Sequence, residues 1–300
     1  MLIARPVTST PQAPSTAAPV LRFAPSPNGR LHLGHAFSAL TTARLAEALG
    51  GIVLLRIEDI DLARSRRDNI DAIFDDLSWL GLSWPAPVLL QSTRFGAYRD
   101  AATSLRKRGL IYPCAATRAD RAAVLGPDVP KDPDGAPRYT PICRRDLRRF
   151  SSVCSAEDPE IAWRLDMEKA IAAVADDGPL GITTWDGGDR YDRRDADPSI
   201  WGDPVLIRKD TPASYHLAVV VDDAYQSVTH VTRGADLEPA TDLHRLLQAL
   251  LGLPSPAYHH HGLIRAEDGR KLAKSAGDTT LGQLRATGVT QAELLAAIGL

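Results

Sequence analysis

The sequence predicts an α/β fold: a Rossmann-like parallel sheet that binds a nucleotide, carrying an inserted subdomain and short C-terminal helices. Three observations predict it. Short apolar runs alternate with helical periodicity over residues 21–81. A turn rich in Pro, Gly and His joins the first run to the first helix. Residues 110–195 then change character, with Cys, Pro and Asp, before apolar runs return.

Residues 1–20 are rich in Pro, Ala, Ser and Thr and hold no acid, so they read as a disordered extension or as a start codon placed too early. They lack the continuous apolar stretch of a secretory signal and, with Arg5 alone, the arginines of a transit peptide. Residues 21–24 read as a strand cut by Pro25 and Pro27. Residues 35–49 have helical period, with Ala36, Ala39, Leu40 and Ala43 on one face, and Gly50-Gly51 stops them. Residues 52–55 form a second buried strand, and residues 67–80 an amphipathic helix ending at Gly81. Strand, turn, helix, strand is a βαβ unit, so residues 21–109 are expected to form the first half of a catalytic domain. Residues 110–195 are the inserted subdomain. Residues 196–265 are the second half, with strand-like runs at 205–208 and 217–221, a strand at 227–233 and a helix at 236–251 closed by Gly252 and Pro254. Residues 266–300 supply a loop and two short helices.

Composition narrows the function. The chain has 300 residues, 44% of them hydrophobic, a formal net charge of -2 and a pI near 6.4. General nucleic-acid binding would want a basic chain, so any RNA contact must come from local patches. No run of about 18 apolar residues is present, so no membrane helix is expected. The three cysteines, Cys114, Cys143 and Cys154, are too scattered for a disulfide framework and suggest a reducing, cytoplasmic setting.

Two segments carry the chemistry. Pro25-Ser26-Pro27-Asn28-Gly29-Arg30-Leu31-His32-Leu33-Gly34-His35 lies at the strand-to-helix turn. Free backbone N–H groups there bind phosphate, Gly34 permits close approach, and His32 and His35 can donate to phosphate oxygens. Lys271-Leu272-Ala273-Lys274-Ser275 lies between Gly269 and Gly277, in a loop able to close on the β- and γ-phosphates. Either string alone is weak, since short motifs of this kind also occur at ordinary helix starts and solvated loops. Together they resemble the HIGH and KMSKS signatures of the class I aminoacyl-tRNA synthetases. The resemblance implies the parallel-sheet fold of that class, ATP with Mg²⁺ as cosubstrate, His32, His35, Lys271 and Lys274 as catalytic, and Gly34 and Ser275 beside ATP.

Residues 22–29, 56–61 (Arg-Ile-Glu-Asp-Ile-Asp) and 231–236 (Val-Thr-Arg-Gly-Ala-Asp) are similar to glutamyl-tRNA synthetases. Glutamate has two carboxylates and one ammonium, which call for two cations and an anion, and Arg holds a carboxylate in fork geometry. The resemblance implies a glutamate site of Arg22, Phe23, Ala24, Pro25, Ser26, Glu58, Tyr215 and Arg233. The alternatives are a surface ion pair for Glu58 and a core position for Tyr215.

The chain stops soon after Ser275, and its RGAD segment and Val221-Asp222-Asp223-Ala224 read closest to the glutamyl-queuosine tRNA(Asp) synthetases. That resemblance, over residues 21–300, implies a monomer that activates L-glutamate without tRNA and transfers it to queuosine at the wobble base of tRNA(Asp). The alternatives are a minimal glutamyl-tRNA synthetase charging a 3′ end and a non-catalytic binding protein. The family's zinc motif is incomplete: Cys114, Tyr139 and Cys143 are present, but Ala116 replaces a cysteine and leaves three candidate ligands where zinc wants four. Consecutive His259, His260 and His261 cannot converge on a metal if the segment is extended, which favours a structural or ATP-side role. Arg144, Arg145, Arg148 and Arg149 could meet RNA phosphates, or form a solvated face.

Overall fold

The computed structural model describes residues 18–117, 119, 120, 123, 126, 128–139, 143, 161–264 and 279–300. The first βαβ unit forms as expected: β1 (Val20–Phe23), α1 (Leu33–Ala48) and β2 (Ile52–Ile57), with β1 and β2 paired in parallel. Helix α2 (Arg67–Trp79) leads to the short β3 (Leu89–Leu90), parallel to β2. Later in the chain β9 (His230–Gly234) pairs in parallel with β10 (Ala257–His261), with α6 (Ala240–Leu251) between them.

Strands β1 and β9 run side by side. The Thr229 N–H donates to the Val20 carbonyl at 2.9 Å, and Arg22 Nη1 donates to the Thr232 carbonyl at 3.2 Å. From β1 the chain crosses to β2 on one side, whereas from β9 it crosses to β10 on the other. The crevice between the C-terminal ends of β1 and β9 is therefore a topological switch point, where open α/β sheets bind ligands.

Between the halves lie α3 (Phe95–Lys107), β4 (Ile111–Cys114), β5 (Ala162–Leu165), α4 (Met167–Ala172), the hairpin β6 (Gly181–Trp185) and β7 (Tyr191–Asp195), β8 (Val205–Ile207), and α5 (Tyr215–Tyr225). Strands β4, β5 and β8 make a separate antiparallel sheet. Strand β6 joins β10 in parallel and β7 flanks it. Sheet membership thus crosses the compositional divide at 195/196: the hairpin before it pairs with the main sheet, and residues 205–207 after it pair with the inserted one. Composition follows exposed residues, while sheet pairing follows which edges meet.

One expectation is overturned. Residues 217–221 are not a strand but the middle of α5, which Ser214 caps by accepting from the Leu217 N–H. A short continuous apolar run reads alike for a buried strand and a helix buried on nearly all sides. Leu217, Ala218, Val219 and Val220 are all buried, in a core shared with Tyr98, Leu105, Leu243 and Leu247. A second core joins Leu40, Ile57, Ile73 and Leu77 to Leu281 and Leu294 of the two C-terminal helices, α7 (Leu281–Ala286) and α8 (Gln291–Ala297). Among the described residues no helix is long and apolar enough to cross a membrane.

Candidate active site

Strand alternation sends Arg22 and Phe23 to opposite faces of β1. Phe23 packs among Leu40, Leu55 and Leu77, so its side chain does not join Arg22, and only its backbone is left to take part in the expected glutamate site. Arg22 is buried, with Nε donating to Asp223 Oδ1 at 3.0 Å. Arg56, fully buried on β2, donates from Nη1 to the same oxygen at 2.7 Å and to Gln226 Oε1 at 3.0 Å. Its Nη2 reaches Glu58 Oε1 at 3.3 Å. Glu58 is held by its own backbone too, its N–H donating to the Pro25 carbonyl at 3.0 Å. Next to it, Asp59 accepts from the Ser92 N–H at 2.8 Å and hydroxyl at 2.6 Å, pinning the segment.

The electrostatics follow from burial. Burial pushes Glu58 above the usual carboxylate range, with Arg56 and Arg22 acting against it. Burial would raise Asp223 as well, but Arg22 and Arg56 hold it below its ordinary value. Asp223 is thus the anion that keeps two buried guanidinium groups in place.

Arg233, at the end of β9, is equally buried but differently partnered. Its Nη2 donates to Thr241 Oγ1 at 2.6 Å, Nη1 to His244 Nδ1 at 3.2 Å and to the Tyr215 hydroxyl at 3.5 Å, and Nε to His260 Nε2 at 3.4 Å. A guanidinium only donates, so both imidazoles accept and are neutral. Burial, then Arg233, pushes His260 down to about 3 and His244 well below its ordinary value. His244 therefore carries its proton on Nε2 and donates to His216 Nδ1 at 3.1 Å. No carboxylate pairs with Arg233 among the described residues. Burial raises the Tyr215 hydroxyl above its ordinary value, with Arg233 acting against it.

At the phosphate-type turn, His32 is the N-cap of α1 and its Nδ1 accepts from the Gly34 N–H at 3.1 Å. His35 Nδ1 accepts from the His32 N–H at 3.2 Å, completing a capping box of two histidines. Each neutral ring then carries its proton on Nε2. Gly34 leaves room for the His32 ring: a Cβ there would lie 3.0 Å from Cε1 and 3.2 Å from Nδ1, so the ring would have to give by a few tenths of an ångström. Ala24 and Ser26 are half-buried and Pro25 buried, and the Ser26 hydroxyl donates to Asn28 Oδ1 at 3.3 Å. Lys271, Lys274 and Ser275 lie outside the described residues, as do Arg144, Arg145, Arg148, Arg149 and Cys154. On the near side of the lysine segment, Thr280 bridges His32 and the Leu281 N–H donates to the Leu31 carbonyl at 2.9 Å.

Cys114, Ala116, Tyr139 and Cys143 are brought together in one small buried cluster. Cys114 Sγ lies 3.3 Å from the Tyr139 hydroxyl, and Arg164 stacks 3.9 Å over the Tyr139 ring. Ala116 occupies the cluster with a methyl group, so the described residues offer two thiols and a phenol. That set does not fit a structural zinc, which takes four ligands. The three histidines of β10 diverge as strand period requires: His260 faces Arg233, His259 Nδ1 meets the Trp185 carbonyl at 3.0 Å, and His261 Nε2 meets Ser38 Oγ at 3.0 Å.

Sequence reasoning missed Arg56, Asp223, Thr241, His244 and His260 as members of the site. A signal for Asp223 existed: two adjacent acids interrupt an otherwise apolar helix at 222 and 223, and buried acids need partners.

The family described as tRNA synthetases class I (E and Q), catalytic domain, matches residues 20–300. A glutamyl-Q tRNA(Asp) synthetase of Rhodobacter capsulatus is 44% identical over 284 residues, covering 94% of this chain and 100% of that protein. One from Symbiobacterium thermophilum is 38% identical, covering 90% of this chain and 82% of its own. The crystal structure of a glutamate-tRNA synthetase from Elizabethkingia anophelis matches with a TM-score of 0.66 at 26% identity, covering 87% of this chain. The chain spans about half of that protein, 53%.

Proposed function

The chain belongs to the catalytic-domain family of class I tRNA synthetases for E and Q, and on that premise we propose that it activates L-glutamate with ATP and transfers it to queuosine in tRNA(Asp). The observation that carries the amino-acid choice is Arg233, a buried guanidinium with only neutral partners among the described residues, the Tyr215 hydroxyl among them. A buried cation without an anion is costly, and a ligand carboxylate relieves that cost.

In this reading Arg233 takes the side-chain carboxylate of glutamate and Glu58 the ammonium. Arg22, already neutralised by Asp223, adds positive potential without clamping the α-carboxylate, which must attack. That carboxylate attacks the α-phosphorus of ATP and pyrophosphate leaves. The N-terminus of α1 and the Nε2–H groups of His32 and His35 stabilise the charge on the phosphates, and Mg²⁺ arrives with ATP. The resemblance assigns Lys271 and Lys274 to the leaving pyrophosphate. A hydroxyl of the queuosine cyclopentenediol then attacks the glutamyl carbonyl and AMP leaves. The reading includes a monomeric, cytoplasmic protein and no structural zinc.

The test is ATP–pyrophosphate exchange by the protein alone. Exchange should require glutamate and proceed without RNA. Glutamine lacks the second negative charge and aspartate is one methylene short, so both should be poor. Exchange that depends on tRNA, or prefers glutamine, overturns the assignment. Labelled glutamate should then map to the anticodon fragment of queuosine-containing tRNA(Asp); label on the 3′-terminal adenosine would favour a minimal glutamyl-tRNA synthetase.

A further inference from the structure

We infer that the groove between α3 and the β5–β8 edge of the inserted sheet holds the phosphate backbone of the RNA acceptor, an inference that rests on the acceptor being a tRNA. The groove encloses about 470 Å³. On one wall, α3 presents Arg99, Thr103 and Arg106 at helical spacing as an exposed stripe, while Tyr98, Ala102 and Leu105 face the core. On the other wall, the exposed Arg208 and Lys209 follow β8. Trp163 of β5 lines the groove between them, with the Arg106 guanidinium 5.1 Å from its ring centre.

The groove is predominantly cationic. Its lining holds Arg99, Arg106, Arg208 and Lys209 against one acid, Asp210, in a protein whose net charge is -2. Asp210 lies 3.7 Å from Arg208 Nε and accepts from the Thr211 hydroxyl at 3.3 Å. Arg99, Arg106 and Lys209 have no carboxylate partner among the described residues. These cations are exposed and spread over two walls, so solvent and salt screen each one singly. A lone small anion would gain little from them. A polyanion that spans both walls releases several counterions at once, which is the main source of affinity in RNA binding.

Position ties the groove to the reaction. The Arg208 N–H donates to the Thr211 carbonyl at 3.1 Å, closing the turn that carries Lys209. That turn runs directly into Ser214, the cap of α5, and Tyr215 is the first residue of the helix. An RNA gripped by Arg208 and Lys209 is therefore held next to the glutamate site rather than on a remote face.

The test compares wild type with Arg99→Glu/Arg106→Glu/Lys209→Glu, and with Arg67→Glu on α2 as a control outside the groove. Two quantities are read: affinity for queuosine-containing tRNA(Asp) over a salt series, and RNA-free exchange with glutamate. The triple variant should bind tRNA at least about tenfold more weakly, with a log–log salt slope shallower by roughly one per lost phosphate contact. Its RNA-free exchange and the tRNA affinity of the control should match wild type. The neutral variant Arg99→Gln/Arg106→Gln/Lys209→Gln, which adds no repulsion, should lose affinity in the same direction. Unchanged affinity and slope in both triple variants overturn the groove and leave the glutamate reading standing. Wild-type protein that fails to exchange with glutamate, yet binds RNA through the groove, overturns that reading and not the groove.

Discussion

Arg22 and Asp223 meet through Nε and Oδ1 at 3.0 Å, although 201 residues separate them in the chain. The contact joins the end of β1 to α5 across the point where the two halves of the sheet diverge. Because Arg56 shares the same Asp223 oxygen, one carboxylate fixes a cation from each of the first two strands. Asp223 is therefore a structural anion; Glu58, which meets Arg56 at 3.3 Å, is the anion that the proposed reading gives to the ligand ammonium.

Asp223→Asn should expose this arrangement. It keeps the shape but leaves two buried guanidinium groups without their shared anion, which should cost about 3–5 kcal/mol of folding stability. Urea denaturation measures the loss, and the KM for glutamate in the exchange reaction should rise with it. In the wild type, Asp223 is held below its usual pKa, so its contribution is complete above about pH 4 and fades as pH falls through the depressed value. A variant as stable as wild type would mean that the pair contributes nothing net.

Glu58 should impose an acidic limb on glutamate activation. Burial raises its pKa, and protonation removes the charge that meets the substrate ammonium. The profile of kcat/KM against pH reports the free enzyme, so its acidic inflection should lie above the ordinary Glu value of about 4.3. Activity should fall as pH drops through that inflection. In Glu58→Gln the limb should disappear together with most of the glutamate affinity. An inflection at or below the ordinary value would separate Glu58 from substrate binding.

Lys274→Ala tests the second motif. Loss of one preorganised donor to the leaving pyrophosphate should lower kcat by roughly 10²–10³ while glutamate affinity changes little. Near-normal kcat would reduce the KLAKS segment to a surface loop.

Zinc content tests the small cluster of the insertion. With Ala116 facing Cys114 and Cys143, protein purified without added metal should hold well under one zinc per chain by elemental analysis. A full equivalent that resists chelators would mean that a further residue completes the site.

Much of this was legible because it is local. The period of α1, the glycines that stop it, and the His-x-Gly-His turn are properties of adjacent residues, and each appears within a residue or two of its expected place. The candidate site residues Arg22, Glu58, Tyr215 and Arg233 were legible through motifs, since each sits beside a strand end or helix start. The run at 217–221 misled because apolar character alone carries no period. For Phe23 the structure adds what a motif of consecutive residues cannot say: a strand sends alternate side chains to opposite faces, and this one packs in the core.

The sequence by itself determined the opening βαβ unit, the strand-to-helix turn with its two histidines, and the residue types that a dicarboxylic amino acid would call for. Only the tertiary structure decided the pairing: that Asp223, not Glu58, neutralises Arg22, and that Arg233 rests on two neutral histidines and a threonine. Helix period and turn chemistry are short-range, but which buried charge finds which partner depends on strands brought together from opposite ends of the chain. In the crevice between β1 and β9 those long-range pairings hold Asp223 below its ordinary value and both imidazoles neutral, and leave Arg233 without a carboxylate among the described residues.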